Sequence, residues 1–477
     1  MKAGTTLSEK GFSESEMMNM LRDMMENEIK WKEGRMFSYV FGAGKETSRM
    51  AETFSRAFAS QNTLNPNCFP ALRKFETDIV RMCATLLHGS NKVKGNVTSG
   101  GTESIFLALS VARTIAFEQY QLTTPEIILP VTAHPAFLKA CHYLGLKPVI
   151  TGVDNKKRAD AEAIKNAINK NTILIVCSAP CFPYGVVDPV EQIARLAVKE
   201  GKLLHVDACM GGMMLPFIKM LGYHVPRFDF SVSGVTSVSL DLHKYGYAPK
   251  GCSVILYKNR QMRKKQFYIY PDWPGGIYAS TTFMGTKNGG PVAGAWAVMH
   301  TLGKKGYLEM AEKVMRTTQM IRDGIEALEG LSVVGRPDMS LLAFTSDKGD
   351  IFNIGDGLSA RGWHLDRLQI PPCLHLTVNY LNVGREEEFL YDLTQVHQNF
   401  ARLYEERKQT EKRISMVNKI FGFVPSFISD YFSRNAGKYM NNHANQSQAA
   451  VYGFSASFTN RAKLKQLMEN MLDGMFG

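Results

Sequence analysis

The feature that most restricts the fold is an alternation of short apolar runs with helical stretches, from about Ala71 to Met310. The runs are Ile127–Val131, Lys147–Thr151, Ile173–Cys177 and Leu203–Val206. Strands separated by helices are expected to pair in parallel, with helices covering both faces of the sheet. At 477 residues the chain is too long for one compact core, so two or three substructures are expected. Residues 1–60, with a helical pattern from Ser13 to Lys32, read as a helical dimerisation segment. Residues 61–310 read as the large domain, and 311–477 as a small α+β domain with strands at Leu331–Val334, Leu341–Phe344 and Leu374–Val378.

Candidate chemistry concentrates in Ser239-Leu-Asp-Leu-His-Lys-Tyr-Gly-Tyr-Ala-Pro-Lys-Gly251. An apolar, Ser-rich run, Phe228 to Val238, precedes it and reads as a buried strand; Cys252 to Tyr257 reads as the next. Burial disfavours the charged form of a lysine, so Lys244 is expected to lose its ammonium readily and act as a nucleophile or Schiff-base partner. A solvated His-Lys pair on a loop is the plainer reading, and upstream residues decide against it. Asp207, in Leu203-Leu-His-Val-Asp-Ala-Cys-Met-Gly-Gly212, falls at the carboxyl end of a strand, where open α/β sheets place ligand-binding groups. Val97-Thr-Ser-Gly-Gly-Thr-Glu-Ser104 then opens a helical run, Ile105 to Phe117. Its free N–H groups and positive dipole end suit a phosphate. His134, in Thr132-Ala-His-Pro135, offers a ring for stacking. Each of these alone is commonly structural. Together they point to pyridoxal 5′-phosphate (PLP), which needs a lysine tether and an acidic partner for its pyridine nitrogen.

Val97–Ser104, His205-Val-Asp-Ala-Cys-Met-Gly-Gly212 and His243-Lys-Tyr-Gly-Tyr-Ala-Pro-Lys-Gly251 resemble the PLP-dependent sphingosine-1-phosphate lyases. These belong to the fold-type I, group II decarboxylase-like superfamily. The resemblance runs from Trp31-Lys-Glu-Gly-Arg35 through Phe69-Pro-Ala-Leu-Arg-Lys-Phe-Glu76 and Asp272-Trp-Pro-Gly-Gly-Ile-Tyr-Ala-Ser280 to Ala449-Ala-Val-Tyr-Gly453. It implies an α/β, PLP-dependent transferase-like fold with a mainly parallel seven-stranded sheet between helices. It also implies retro-aldol cleavage of a phosphorylated long-chain base to a long-chain aldehyde and phosphoethanolamine. On this resemblance Lys244, Asp207 and His134 are catalytic. Gly100, Gly101, Thr102, Ser178 and His243 join them in holding the cofactor. Lys250, Lys287 and Asn67 are the candidates for the substrate phosphate. Tyr245 and Tyr247 are candidate bases by position only. The loop Met284-Gly-Thr-Lys-Asn-Gly-Gly290 implies a homodimer with composite active sites.

The chain departs from the family in three places. Ser38-Tyr-Val-Phe41 stands where a Ser-Gly-containing stretch is usual. Asn65 and Asn67 replace His and Asp in Leu64-Asn-Pro-Asn-Cys-Phe-Pro70, which removes two titratable groups. Lys287 replaces Arg, exchanging a bidentate clamp for a point charge. These changes keep two rivals in view: an amino-acid decarboxylase with the same cofactor, and a non-catalytic lipid-phosphate-binding relative.

Composition narrows the setting. Eight cysteines without a CxxC pair support neither a zinc site nor a disulfide framework, and no metal is expected. The chain shows no apolar signal segment and no uninterrupted apolar run of about 18 residues, so a cytoplasmic protein of the bacterial type is expected. The net charge of +12 is spread along the chain and gives nucleic acid little support as a partner. Ile414 to Tyr431 is unusually apolar and reads either as an interfacial helix giving peripheral membrane contact or, more commonly, as a packing helix.

Overall fold

The computed structural model describes residues 7–26, 28–65, 67–400 and 461–476. Ile414 to Tyr431 and the motif Ala449 to Gly453 lie outside the described residues. Three helices lead in: α1 (Glu14–Met25), α2 (Lys45–Phe58) and α3 (Pro70–Leu86). The large sheet and its helices follow as β1 (Lys94–Thr98), α4 (Gly101–Tyr120), β2 (Glu126–Pro130), α5 (Ala136–Leu144), β3 (Lys147–Thr151), α6 (Ala161–Ala167) and β4 (Thr172–Ser178). They continue as α7 (Val190–Lys199), β5 (Leu203–Asp207), α8 (Leu215–Met220), β6 (Ser237–Asp241) and β7 (Ser253–Tyr257).

The seven strands lie in the order β1-β7-β6-β5-β4-β2-β3. β3, β2, β4, β5 and β6 pair in parallel, and β7 runs antiparallel to both β6 and β1. The mainly parallel seven-stranded sheet is therefore present. Helices cover it, so central strands are apolar throughout rather than alternating: every residue of β4 is buried. Each buried Ile, Leu or Val there contributes about 1.5–3 kcal/mol. The edge strand β3 is largely exposed.

Beyond β7 come α9 (Arg260–Lys264) and a hairpin of β8 (Tyr268–Tyr270) and β9 (Tyr278–Ser280). The long α10 (Gly289–Glu326) kinks at Gly303, which has a φ of 55°. It packs on α2, α3 and α8, then runs on to the small antiparallel sheet. That sheet, in the order β10-β11-β13-β12, comprises β10 (Leu331–Val333), β11 (Leu341–Ser346), β12 (Asp366–Gln369) and β13 (Pro372–Thr377), with α11 (Ile351–Ser359) between β11 and β12.

Three local differences from the sequence reading have physical causes. The run Phe228–Val238 is not one strand. Asp229 accepts from the Ser231 N–H at 2.9 Å and Gly234 has a φ of +108°, so residues 228–236 turn and the strand begins at Ser237. The first helix starts at its Ser13–Glu16 capping box but ends at Met25, and Trp31–Glu33 is a separate 3-10 turn. β12, with Arg367 buried against Asp356, lacks the apolar run that would have revealed it.

The N-terminal segment also crosses to the small sheet. Phe37 N–H donates to His364 at 3.0 Å, and its carbonyl accepts from Thr377 at 2.7 Å. The Phe37 ring is fully buried between Trp363 and Phe389. This anchoring delivers Tyr39 and Phe41 to the cleft over the carboxyl ends of the large-sheet strands.

Candidate active site

β5 and β6 run side by side and pair His205 with Ser237 and Asp207 with Ser239. Ser178, at the end of β4, pairs with Asp207 from the other side. A carboxylate therefore stands at the carboxyl end of the central strands, with only 7% of its surface exposed. Its Oδ1 accepts from the Cys209 N–H at 3.0 Å and the Ser239 hydroxyl at 3.3 Å.

β6 ends in a tight turn that carries Lys244. Tyr247 N–H closes it on the Lys244 carbonyl at 2.8 Å, and Tyr247 has a φ of 57°. Lys244 Nζ lies 2.9 Å from Asp241 Oδ2, a carboxylate that is nearly fully buried. The expected readily lost ammonium is corrected here. Burial does act to lower the Lys244 pKa, but the charge and hydrogen bond of Asp241, with the charge of Asp207, outweigh it and hold the amine above its ordinary value. Reciprocally, burial pushes the Asp241 carboxyl up, and Lys244 and His243 pull it below its usual value. Asp241 lay in the stretch singled out from sequence and was passed over. Its signal was a carboxylate three residues before the lysine, within reach across one turn.

The cradle beneath this pair is built for an anion. α4 begins at Gly101, and a Cβ there would stand 2.8 Å from Cys209 Sγ and 2.9 Å from both Asp241 oxygens, so only glycine fits. Glu103 accepts from the Ser99 N–H at 2.6 Å and from Phe283 and Met284 N–H at 2.9 and 3.2 Å, which ties the loop to the hairpin side. His243 Nδ1 donates to the Cys252 carbonyl at 2.8 Å, leaving Nε2 facing Asp241 at 3.7 Å, and its ring borders Gly100. Thr102 is exposed in the first helical turn. Across the cleft, His134 Nδ1 accepts from Ala136 N–H at 3.1 Å, which orients the ring. Burial lowers its pKa and so favours neutral imidazole; Asp207 and Asp241 oppose this and Lys244 assists it.

Lys250 belongs to the same neighbourhood. Its Nζ donates to the Tyr39 carbonyl at 2.6 Å and the His243 carbonyl at 3.3 Å, and lies 5.3 Å from the Phe41 ring. Burial lowers its pKa, and Lys244 adds to that. The structure therefore brings together Gly100, Gly101, Thr102, His134, Ser178, Asp207, His243, Lys244 and Lys250. Lys287 and Asn67 make no side-chain bond to any of these residues. Lys287 pairs with Glu76 and donates to the Val97 carbonyl at 3.1 Å, beside a cavity of about 270 Å³ that Arg73, Asn96 and Arg263 also line. Asn67 sits on an exposed turn. Tyr245 is corrected as a candidate base. Its hydroxyl donates to the Val378 carbonyl at 2.9 Å and accepts from Ser340 at 2.7 Å, and burial raises its pKa. Tyr247 is equally buried, with its pKa raised by burial.

The donor set suits PLP. A buried carboxylate, a neutral imidazole, a lysine and a glycine-lined helix start converge, as a protonated pyridine ring with a phosphate arm requires. The pyridoxal-dependent decarboxylase conserved domain matches residues 3–347, which places the chain among the fold-type I, PLP-dependent enzymes of that family. The relatives narrow this further. The chain is 42% identical to the sphingosine-1-phosphate lyase of Dictyostelium discoideum, over 81% of this chain and 73% of that protein. It is 41% identical to that of Arabidopsis thaliana, over 79% and 71%. The solved sphingosine-1-phosphate lyase of Burkholderia pseudomallei superposes with a TM-score of 0.82 at 33% identity, covering 87% of this chain and 97% of that one. A Lactobacillus brevis glutamate decarboxylase, at 18% identity and a TM-score of 0.74, shares the fold. This chain belongs to the sphingosine-1-phosphate lyase family.

Proposed function

We propose that this chain is a PLP-dependent aldehyde lyase that cleaves the C2–C3 bond of a phosphorylated sphingoid base, giving a long-chain aldehyde and phosphoethanolamine. The observation that carries the reading is the Lys244–Asp241 pair beside Asp207 and above the Gly101 helix start, in a chain of this family. When bound, the cofactor supplies an electron sink for the pair released as the bond breaks. Lys244 is its covalent tether, and Asp207 is the anion that holds a proton on its ring nitrogen. His134 orients the ring by stacking. Gly100, Gly101, Thr102 and His243 take its phosphate, with Ser178 beside Asp207. Lys244 Nζ stands 2.9 Å from Asp241, a carboxylate that would keep a proton on the amine for delivery to the substrate carbon. Lys250 takes the substrate phosphate at the cleft mouth, exchanging its carbonyl partners for a charged one.

The assembly we infer is a homodimer whose partner completes each site. α1 buries none of its residues, and Met17, Met18, Leu21, Met24 and Met25 are each 47–62% exposed. An amphipathic helix left in this state calls for an apolar cover. Lys287, paired with Glu76, and Asn67, on an exposed turn, are then assigned to the partner's substrate phosphate.

The test is a product assay on PLP-loaded protein with a long-chain sphingoid base phosphate and Lys244→Ala as control. Fatty aldehyde and phosphoethanolamine from the unsubstituted protein alone support the reading. A bound-cofactor spectrum with carbon dioxide release from an amino acid would replace it with decarboxylation. No cofactor spectrum at all would leave a non-catalytic lipid-phosphate-binding relative.

A further inference from the structure

Beneath Asp207 lies a buried polar chain to which the proposed chemistry gives no role. His205 precedes Asp207 by two residues on β5, so both side chains fall on one face of the sheet. His205 is fully buried, with the Phe137 ring against it at 5.8 Å. Its Nδ1 lies 2.9 Å from Ser237 Oγ, and its Nε2 lies 3.2 Å from Ser239 Oγ. Ser239 Oγ in turn lies 3.3 Å from Asp207 Oδ1, and Cys209 Sγ approaches it at 3.5 Å.

Proton counting fixes the direction of this chain. Ser239 has one hydroxyl proton and two acceptors to choose between, Asp207 Oδ1 and a histidine nitrogen. An ionised carboxylate is the stronger acceptor, so the proton goes to Asp207. His205 must then carry its own proton on Nε2 and donate it to Ser239, while Nδ1 accepts from the Ser237 hydroxyl. In this arrangement His205, Ser237, Ser239 and Asp207 each have a partner, and the Ser239 proton goes to the charged acceptor. Burial holds His205 neutral, with a pKa of about 4 despite the charge of Asp207. Asp207 is the charged group acting on it. A hydrophobic residue at 205 would fill the same space and leave Ser239 free to turn from Asp207.

We propose that His205, acting through Ser239, is a positioning residue for Asp207: the relay fixes the carboxylate's rotamer and directs it toward the cofactor's ring nitrogen. The two donors on Oδ1, Ser239 and the Cys209 N–H, leave Oδ2 for the ring. This inference rests on the PLP reading above, and it adds the device that aims Asp207 at the ring.

The test compares Ser239→Ala, His205→Leu and His205→Gln in the PLP-loaded protein. Gln is chosen because its side-chain amide can place a donor near the position of Nε2. Three readouts are taken: the pH titration of the bound cofactor's visible absorbance, the PLP dissociation constant, and kcat against KM. Ser239→Ala and His205→Leu should move the absorbance titration by about half a pH unit or more, since a one-unit change reflects only a modest change in local interaction. PLP should bind several-fold more weakly, and kcat should fall about 10-fold with KM within about 2-fold, the pattern of a lost transition-state interaction. His205→Gln should recover most of each change. If His205→Leu and Ser239→Ala bind PLP and titrate as the unsubstituted protein does, with only a lower melting temperature, His205 is a packing residue and the proposal is overturned. Should His205→Leu fail to fold, Ser239→Ala decides alone, because it removes one hydroxyl from the same relay. An unsubstituted protein that acquires no cofactor absorbance would instead overturn the PLP reading.

Discussion

The floor of the cleft and its rim are built on opposite principles. The floor consists of strand ends and one tight turn: Asp207, Ser239, Asp241 and His205 are at most 7% exposed, the first two and His205 joined through Ser239 and Asp241 paired with Lys244. The rim comprises the segment around Tyr39, the turn at Asn65–Asn67 and the loop from Trp273 to Lys287. Tyr39 is 66% exposed, Ile277 76% and Phe283 65%. The three departures from the family fall on the rim, and the floor carries none of them. The floor is bonded within one chain, because parallel strands bring residues distant in sequence to one edge and burial then demands partners for each charge. The rim is left with exposed apolar side chains, and Lys287 pairs with Glu76 rather than with any residue of the floor.

Substitutions separate these regions by the size and kind of loss. Lys244→Ala should abolish the cofactor's bound absorbance and lower turnover by more than about 10³-fold, since tether and proton carrier go together. Asp207→Asn should keep the tether and lower kcat by about 10²-fold or more, as a neutral amide cannot hold a protonated ring nitrogen; a spectrum and a product assay check both. Asp241→Asn should destabilise the cofactor-free protein by about 3 kcal/mol at neutral pH, because it leaves the Lys244 ammonium buried without its partner.

The pH dependence of that last difference has a definite sign. Lys244 is raised above its ordinary value, so its share is complete below that value and disappears as pH climbs through the folded one. Asp241 is depressed, so its share holds above the ordinary carboxyl range and disappears as pH falls. Denaturant titrations should show the gap between Asp241→Asn and the unsubstituted protein narrowing at both extremes; a gap constant from acid to alkali would break the account of the pair.

Rim substitutions should act more gently. Lys250→Ala should raise KM for a phosphorylated substrate about 10-fold, with little change in the cofactor spectrum or in melting temperature. Changing Met17, Leu21 and Met24 together to Ser should leave the subunit folded, as α1 buries nothing, while activity at high dilution falls a few-fold through dissociation. Sedimentation reads this directly. A protein that is monomeric and fully active at every concentration would remove the contrast between a bonded floor and an incomplete rim.

Residue type and local pattern were enough for the large sheet and for much of the floor. The apolar runs became β2 to β5 within a residue or so, and Lys244, Asp207 and the Gly101 helix start converge as expected. Polar partnership was harder to read. Asp241 was overlooked beside Lys244, and the lysine was expected to shed its proton, because burial is visible in a sequence while a specific counter-charge across a turn is not. His205 and Ser239 looked like strand filler, since their meaning depends on the register of β5 against β6. Tyr245 looked available by its position, but its hydroxyl is spent on Val378 and Ser340 of the small domain.

The sequence by itself determined the architecture and the cofactor class, because strand periodicity, a glycine-started helix and a strand-end carboxylate are local signals. Only the tertiary structure decided which charges neutralise one another, and which hydroxyls face the site and which the core. These depend on strand register and on distances across the cleft, and electrostatic interactions change steeply with both.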